Sequence, residues 1–327
     1  MVPSFLVHDS VRMLDVLNDE TIIIGQLCDR LHNGCMIEDV PSRPLAPPML
    51  SAAAVLADSA GDAAFATTLA KGLIVLEAFD AAAPLLGNMQ ISVRTGIPRP
   101  TVARLTHTLA ELGYLRYDAA ISKYGLGTRA LRIVRPLLAD MPFRQLARPL
   151  MQDLAVSVRG TVSIGLLDGP SIIYVETARS GDVGPHSPDI GLPIPVVRTA
   201  MGRAAAALLP EREATALATR LAAADPAMWE SYAELYRSGL QQCAERGFCT
   251  CFGDYMPAIH AVAAPLFRAR SLQRTFAINC GIPEFRLQPG QLEAEIGPRL
   301  RALAASIRAL VGEAEPVIPA RTDEPAG

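Results

Sequence analysis

Residues 89–115, MQISVRTGIPRPTVARLTHTLAELGYL, constrain the fold of this chain more than any other stretch. Apolar residues recur at helical spacing on both sides of Gly96, and a glycine allows the sharp turn between two crossing helices. We predict one helix over residues 88–95 and a second over residues 99–112. Four apolar side chains fall at the positions where these helices touch: Ile91, Ile97, Val102 and Leu105.

The outward face of the second predicted helix is polar and basic. It carries Arg99, Thr101, Arg104 and Thr108, with His107 at its flank. Arginines near the N-terminal end of a helix in the major groove can bond guanine edges. The helix pair therefore predicts a helix-turn-helix that reads DNA, and the alternative is an ordinary helical hairpin with surface arginines.

Two short strands are predicted after this pair, over residues 114–118 and 123–126. Ser122 and Lys123 stand at the tip between them. Such a strand pair forms a wing that can contact phosphate or the minor groove. We therefore predict a winged helix-turn-helix over residues 65–127.

The charge of the chain is unevenly distributed. The 327 residues carry a net charge of only −3 with a pI of about 6.0, which by itself argues against nucleic acid. Residues 1–64, however, have a net charge of −6, residues 65–139 of +5 and residues 140–327 of −2. A basic module joined to a neutral or acidic one is typical of DNA-binding proteins.

Several classes of protein are excluded by what the sequence lacks. No apolar run reaches the roughly 18 residues of a membrane span, and Met1–Ser10 does not resemble a secretory signal. The six cysteines have irregular spacing, without a CxxC or a histidine pair at i and i+4. We expect a cytoplasmic protein with reduced thiols, no metal site and no cofactor.

The two ends of the chain are predicted to be tails. Four prolines between residues 41 and 48 and an alanine-rich stretch without a clear period make residues 1–64 an N-terminal extension, largely disordered after residue 40. Residues 316–327 form a C-terminal tail. Met49 as an alternative start is a further hypothesis.

The rest of the chain alternates strand and helix patterns. A linker helix is predicted within residues 128–145, and a second domain over residues 146–315. Strands are predicted over residues 161–168, 171–176, 248–252, 257–266 and 273–280, and helices over 199–209, 211–223, 226–245 and 289–312. Strand pairs followed by helices and more strands indicate an α+β domain with an antiparallel sheet.

This second domain lacks a motif for catalysis. No GxSxG is present, and Cys249 or Cys251 with His260 is a conceivable dyad or redox site that we set below the simpler interpretation of small core or pocket cysteines. Asn279 is a candidate polar contact for a ligand, because its amide can donate and accept hydrogen bonds. In the alternative interpretation, Asn279 and Cys280 are turn and core residues. Arg198 can pair with an acid or be a solvated surface residue.

The chain resembles the isocitrate-lyase-regulator (IclR) family of bacterial transcription factors over residues 65–315, about three quarters of its length. TLAKGLIVLEAF (68–79) and TGIPRPTVARLTHTLAELGYL (95–115) resemble its winged helix-turn-helix. TAMGRAAAALLP (199–210) and GFCTCFGDYMPAIHAVAAPL (247–266) resemble two further blocks, in family order and spacing.

The resemblance implies a GAF-like effector domain in which a small organic ligand lies between the sheet and the helix of the second block. It places seven residues at that ligand: Ala200, Met201, Cys251, Ile259, Ala261, Asn279 and Gly281. The apolar side chains among them suit an aromatic or short-chain acid.

We therefore expect a non-enzymatic, effector-responsive regulator. It would bind operator DNA as a homodimer or homotetramer. The alternative is a small-molecule sensor or enzyme whose helix-turn-helix serves protein contacts.

Overall fold

The structure is a computed structural model that describes residues 62–181, 188–269 and 273–311. The predicted N-terminal extension lies outside these ranges apart from residues 62–64, and Met49 lies outside them with it. The predicted C-terminal tail of residues 316–327 also falls beyond the described part of the chain.

Three helices and a hairpin form the first part of the described chain. Helices α1 (Thr67–Glu77), α2 (Asn88–Thr95) and α3 (Arg99–Glu111) precede the antiparallel strands β1 (Leu115–Asp118) and β2 (Lys123–Leu126). The predicted helix-turn-helix is confirmed, with helix ends within one residue of the prediction.

Helix α1 leaves the first two of its leucines exposed. Gly72 and Val75 are buried, and Phe79, just beyond the helix, is buried with them, whereas Leu69 and Leu73 are 64% and 52% exposed. Two apolar stripes share this helix, so spacing alone cannot tell which one packs within the chain.

The predicted linker helix consists of one complete helix and the start of another. Helix α4 (Arg129–Ala139) ends before Pro142, and α5 (Phe143–Val158) begins after it. No helix was predicted over residues 146–158, and this stretch contains Pro149. Helix α5 forms because its buried face, which includes Ala147 and Met151, packs on the sheet and outweighs the missing backbone N–H.

A six-stranded antiparallel sheet forms the centre of the second part, in the order β5–β4–β3–β8–β7–β6. Its strands are β3 (Thr161–Asp168), β4 (Ser171–Arg179), β5 (Pro193–Pro195), β6 (Cys249–Phe252), β7 (Ile259–Ala269) and β8 (Arg274–Pro283). Strand β5 lies between the predicted strand 171–176 and the predicted helix 199–209, where no element was predicted, and β4, β7 and β8 are longer than predicted. The predicted α+β fold with an antiparallel sheet is confirmed.

Helices cover both faces of this sheet. Helix α5 and the last helix, α9 (Gly297–Val311), pack on one face. Residues 292–296 form a π-helical turn that precedes α9. The opposite face packs against α6 (Ala200–Ala206), and α8 (Pro226–Arg246) packs on α6. Helix α7 (Glu211–Ala224) packs on α8. The second face concerns function, because the predicted effector residues lie on it.

Candidate nucleic-acid interface and effector site

The turn of the helix-turn-helix depends on Gly96. This residue has φ = 69°, a left-handed conformation that favours glycine, and its N–H donates to the Ser92 carbonyl at 2.9 Å. Ser92 in turn donates its hydroxyl to the Ile97 carbonyl at 2.7 Å. The predicted contact is present, since Ile91, Ile97 and Val102 are buried and Leu105 packs against them.

One buried hydrogen bond in this contact was not predicted from the sequence. The Thr106 hydroxyl donates to Asn88 Oδ1 at 3.0 Å, and Thr106 is fully buried. The bond joins α3 to the start of α2. The only signal for it was a threonine on the apolar face of the second helix.

The predicted recognition face of α3 is open. Arg99, Arg104 and His107 are exposed, and Thr101 is half-buried. Within the described part of the chain, neither Arg99 nor Arg104 donates a side-chain hydrogen bond or joins an ion pair. Arg94 of α2 differs, because it binds Asp80 at 2.8 Å.

The hairpin forms the predicted wing, with Ser122 exposed at its tip at φ = 53° and Lys123 half-buried beside it. The rings of Tyr117 and Tyr124 lie 4.8 Å apart, one on each strand. Leu86 pairs with Tyr124 through backbone hydrogen bonds, so the wing is tied to the chain before α2. These contacts hold the wing at a definite angle to the helices.

The end of α3 is joined to the start of α4. Arg129 donates to the Leu112 carbonyl at 2.7 Å, and its guanidinium lies 5.8 Å from the Tyr114 ring. The N–H of Gly127 donates to the Tyr114 carbonyl at 2.7 Å. Helix α4 is therefore fastened to the recognition helix at its first turn.

Large apolar side chains remain exposed on α1 and α4. On α4 they are Leu131, Ile133, Val134 and Leu137, and the helix buries none of its residues. On α1 they are Leu69 and Leu73. Such apolar surface on a helix is typical of an interface with another chain.

The strand register brings the predicted effector residues onto one face of the sheet. Ala261 lies opposite Cys251 on one side and Gly281 on the other, and Asn279 lies opposite Ala263. Ile259 shares this face by alternation. Ile259, Ala261, Asn279 and Gly281 are half-exposed, although two neighbours on the same face, Ala263 and Ala277, are fully buried. The face is therefore open at this end of the central strands.

Helix α6 covers the rest of this face. Thr199 caps it, accepting from the Gly202 N–H at 3.2 Å. Ala200 and Met201 are buried, and Met201 lies against Gly165 of β3 so closely that a Cβ there would collide with its sulfur. The two predicted helix residues are therefore buried between α6 and the sheet, beside the half-exposed strand residues.

Three hydroxyl-bearing side chains at this opening were not predicted. Tyr174 of β4 is buried, and its hydroxyl is hydrogen-bonded to Asn279. Burial raises the pKa of Tyr174 above its ordinary value. On the same face, Thr177 donates its hydroxyl to Ser163 at 3.1 Å. Their proximity to Asn279 arises from the pairing of β3 with β4 and β8, which periodicity within a strand does not reveal.

The loop between β6 and β7, residues 253–258, is held over this region by two arginines. Arg198 donates Nε and Nη2 to the Asp254 carbonyl at 2.9 and 2.6 Å. Its guanidinium lies 5.1 Å from the ring of Tyr232 and 5.7 Å from that of Tyr255. Arg203, only 2% exposed, binds the Asp254 carboxylate at 2.6 Å. Arg198 thus organises this loop, which neither of its two sequence interpretations anticipated.

Cys249 and Cys251 form no nucleophilic dyad with His260. His260 lies opposite Phe252, so it faces away from Cys251 and Ala261, and its ring packs on Phe252. Burial raises the pKa of the Cys251 thiol to about 11, which keeps it protonated at neutral pH. The Cys–His dyad considered from sequence is therefore not formed.

Two absences hold for the residues that the structure describes. No group of three or more histidine, cysteine, aspartate or glutamate side chains there can hold a metal ion. No helix there has the length and apolar character needed to cross a membrane.

Two family models match this chain. The IclR helix-turn-helix domain matches residues 68–119, and the model of the bacterial transcriptional regulator IclR C-terminal part matches residues 136–309. A curated relative, the Pca regulon regulatory protein of Pseudomonas putida, is 31% identical over 278 residues, which cover 81% of this chain and 92% of that protein.

Solved structures share the fold. The crystal structure of an IclR family transcriptional regulator from Brucella abortus is 34% identical, with a TM-score of 0.67 over 76% of this chain and 94% of that chain. An IclR homolog from Microbacterium hydrocarbonoxydans, complexed with 4-hydroxybenzoate, has a TM-score of 0.59 at 19% identity, over 74% of this chain and 98% of its own. At that identity the second likeness is one of fold.

Proposed function

This chain belongs to the IclR family of DNA-binding transcriptional regulators, which are not enzymes, and we propose that its second domain binds a small organic acid or aromatic metabolite that modulates operator binding. The proposed DNA-binding domain comprises residues 65–127, the linker 128–145 and the effector domain 146–315. The proposed site of action is the cytoplasm.

The observation that carries the DNA-binding role is the open basic face of α3. Arg99 and Arg104 are exposed and without partners within the described residues, on a helix whose other face is tightly packed. Thr101 and His107 extend this face, and Ser122 with Lys123 is proposed to contact the phosphate backbone. Arginines without intramolecular partners keep their N–H donors available for base edges.

Selection from a random duplex pool tests this role. We expect the chain to enrich one pseudo-palindromic sequence. The logarithm of its binding constant should fall linearly with the logarithm of the salt concentration. The absence of an enriched sequence together with salt-independent binding would contradict it.

The effector role is supported by the open end of the sheet face. The polar side chain of Asn279 is half-exposed and has apolar neighbours. Those that are also half-exposed are Gly281, Ile259 and Ala261, and those that are buried are Cys251, Ala200 and Met201. A protein of the same fold holds 4-hydroxybenzoate, an aromatic acid. Sites of this type, mostly apolar with few polar groups, suit small organic ligands.

A thermal-shift screen of aromatic and short-chain acids tests the effector role. We expect one class to raise the melting temperature with a saturable dose-response. The Asn279→Ala variant should keep its operator affinity and lose sensitivity to that acid. An unaltered dose-response in this variant would remove Asn279 from the site.

We further propose that the chain acts as a homodimer or homotetramer. The exposed apolar side chains of α1 and α4 support a two-fold contact between DNA-binding domains. A two-fold dimer matches half-sites about one helical turn apart.

A further inference from the structure

We propose that Tyr174, Tyr255 and Asn279 form a neutral, hydrogen-bonding end of the effector site that selects an aromatic acid with a ring hydroxyl over the same acid without it. This inference rests on the effector site of the proposed function. It adds two residues, Tyr174 and Tyr255, that the sequence did not indicate.

The three side chains come from separate elements that converge at the opening. Tyr174 lies on β4, Asn279 on β8 and Tyr255 in the loop between β6 and β7. Tyr174 is hydrogen-bonded to Asn279, and Tyr255 lies near enough to interact with Tyr174 electrostatically. Tyr255 also packs against the apolar cluster that contains Met201 and Cys251.

The opening is flanked by one ion pair and by one guanidinium bound to backbone carbonyls. The Asp254 carboxylate is bound to buried Arg203 at 2.6 Å, and Arg198 donates Nε and Nη2 to the carbonyls of Asp254 and Tyr255. The tyrosines and Asn279 carry no charge, because burial favours the neutral phenol of Tyr174. A phenol and an amide can each donate and accept, so they match a ligand hydroxyl better than a carboxylate.

The loop position depends on side chains outside the opening. Arg198 lies between the rings of Tyr232 and Tyr255, at 5.1 and 5.7 Å. Tyr255 is therefore held by stacking on one face and by the clamped Asp254 next to it. A hydroxyl held in place before the ligand arrives discriminates better than a mobile one.

The test compares 4-hydroxybenzoate with benzoate, which differ by one hydroxyl, by calorimetry on the full chain. We expect the wild type to bind 4-hydroxybenzoate more tightly. Tyr255→Phe should reduce that preference roughly 2- to 10-fold, the effect of one neutral hydrogen bond, with the benzoate affinity unchanged. Tyr174→Phe should act in the same direction.

Tyr232→Phe is the matched control, because it removes a phenol on the other side of Arg198 and should keep the preference. Tyr255 is half-buried, so Tyr255→Phe remains informative if the buried Tyr174→Phe variant fails to fold. Equal affinities of the wild type for both acids, or a full preference kept by Tyr255→Phe, would overturn this proposal alone. If the wild type binds neither acid, the assignment of an aromatic ligand is overturned as well. If no acid in the thermal-shift screen binds, the effector role itself is overturned.

Discussion

Two exposed arginines on α3 have different neighbours from Arg94 of α2 and Arg129 at the start of α4. Arg94 and Arg129 are bound to Asp80 and to the Leu112 carbonyl, so they hold the domain together. Arg99 and Arg104 have no such partners among the described residues and remain available for DNA. Arg94 and Arg129 therefore stabilise the fold, whereas Arg99 and Arg104 are candidates for contacts with DNA.

Replacing Arg99 or Arg104 with Ala is therefore expected to weaken binding to the selected operator by on the order of 1–3 kcal/mol, if each contacts a base edge. Fluorescence anisotropy against the operator and a scrambled duplex measures the change. Arg237→Ala, at an exposed position of α8, serves as the control and should bind like the wild type. Unchanged operator affinity in both α3 variants would remove the recognition-helix assignment.

Thr106 makes the second residue-scale prediction. Thr106→Val keeps the shape of the side chain but removes the bond to Asn88, so the free energy of unfolding should fall by about 1 kcal/mol. Urea denaturation measures it. Thr108→Val, at an exposed position whose hydroxyl binds only the Arg104 carbonyl of its own helix, should change stability much less. Equal losses in the two variants would deny the buried bond a special role.

At the scale of elements, the loop of residues 253–258 depends on one buried ion pair. Asp254→Ala leaves the buried Arg203 guanidinium without its carboxylate, and we expect a loss of about 3 kcal/mol in the free energy of unfolding. Chemical denaturation measures the loss. Glu234→Ala, in an exposed pair with Arg237, should have little effect. A loss as small as that of the control would mean that water reaches Arg203.

Elements with strong local signals could be predicted from the sequence, whereas those made by distant contacts could not. Gly96 and Gly113 mark the ends of α2 and α3, because both glycines adopt positive φ. Strand β5 has only three residues, two of them proline, and is held by its pairing with β4. Helix α5 contains Pro149, and its buried face decides its extent.

The effector site shows the same limit. Alternation and resemblance indicated Asn279 and Cys251, and the strand register brings both to one face. Tyr174 and Tyr255 reach that face through a neighbouring strand and a clamped loop. Neither position carries a local pattern that distinguishes it from an ordinary core or loop tyrosine.

At the scale of the whole molecule, the net charge of −3 conceals a basic DNA-binding module of +5. The same module exposes apolar side chains on α1 and α4 that a monomer would leave in water. Leu69 and Leu73 belong to this exposed apolar surface and not to the core. The apolar surface therefore predicts an interface between copies that includes α4.

The double variant Leu131→Ser/Val134→Ser should shift the chain toward smaller assemblies, because it removes apolar area that we propose is buried between copies. Light scattering coupled to size exclusion measures the mass at several concentrations. Operator affinity should fall with the mass, since two half-sites are no longer bound together. Leu235→Ser, at an exposed position on α8, is the matched control and should keep the wild-type mass. A double variant with the wild-type mass and a wild-type melting temperature would show that α4 is not the interface.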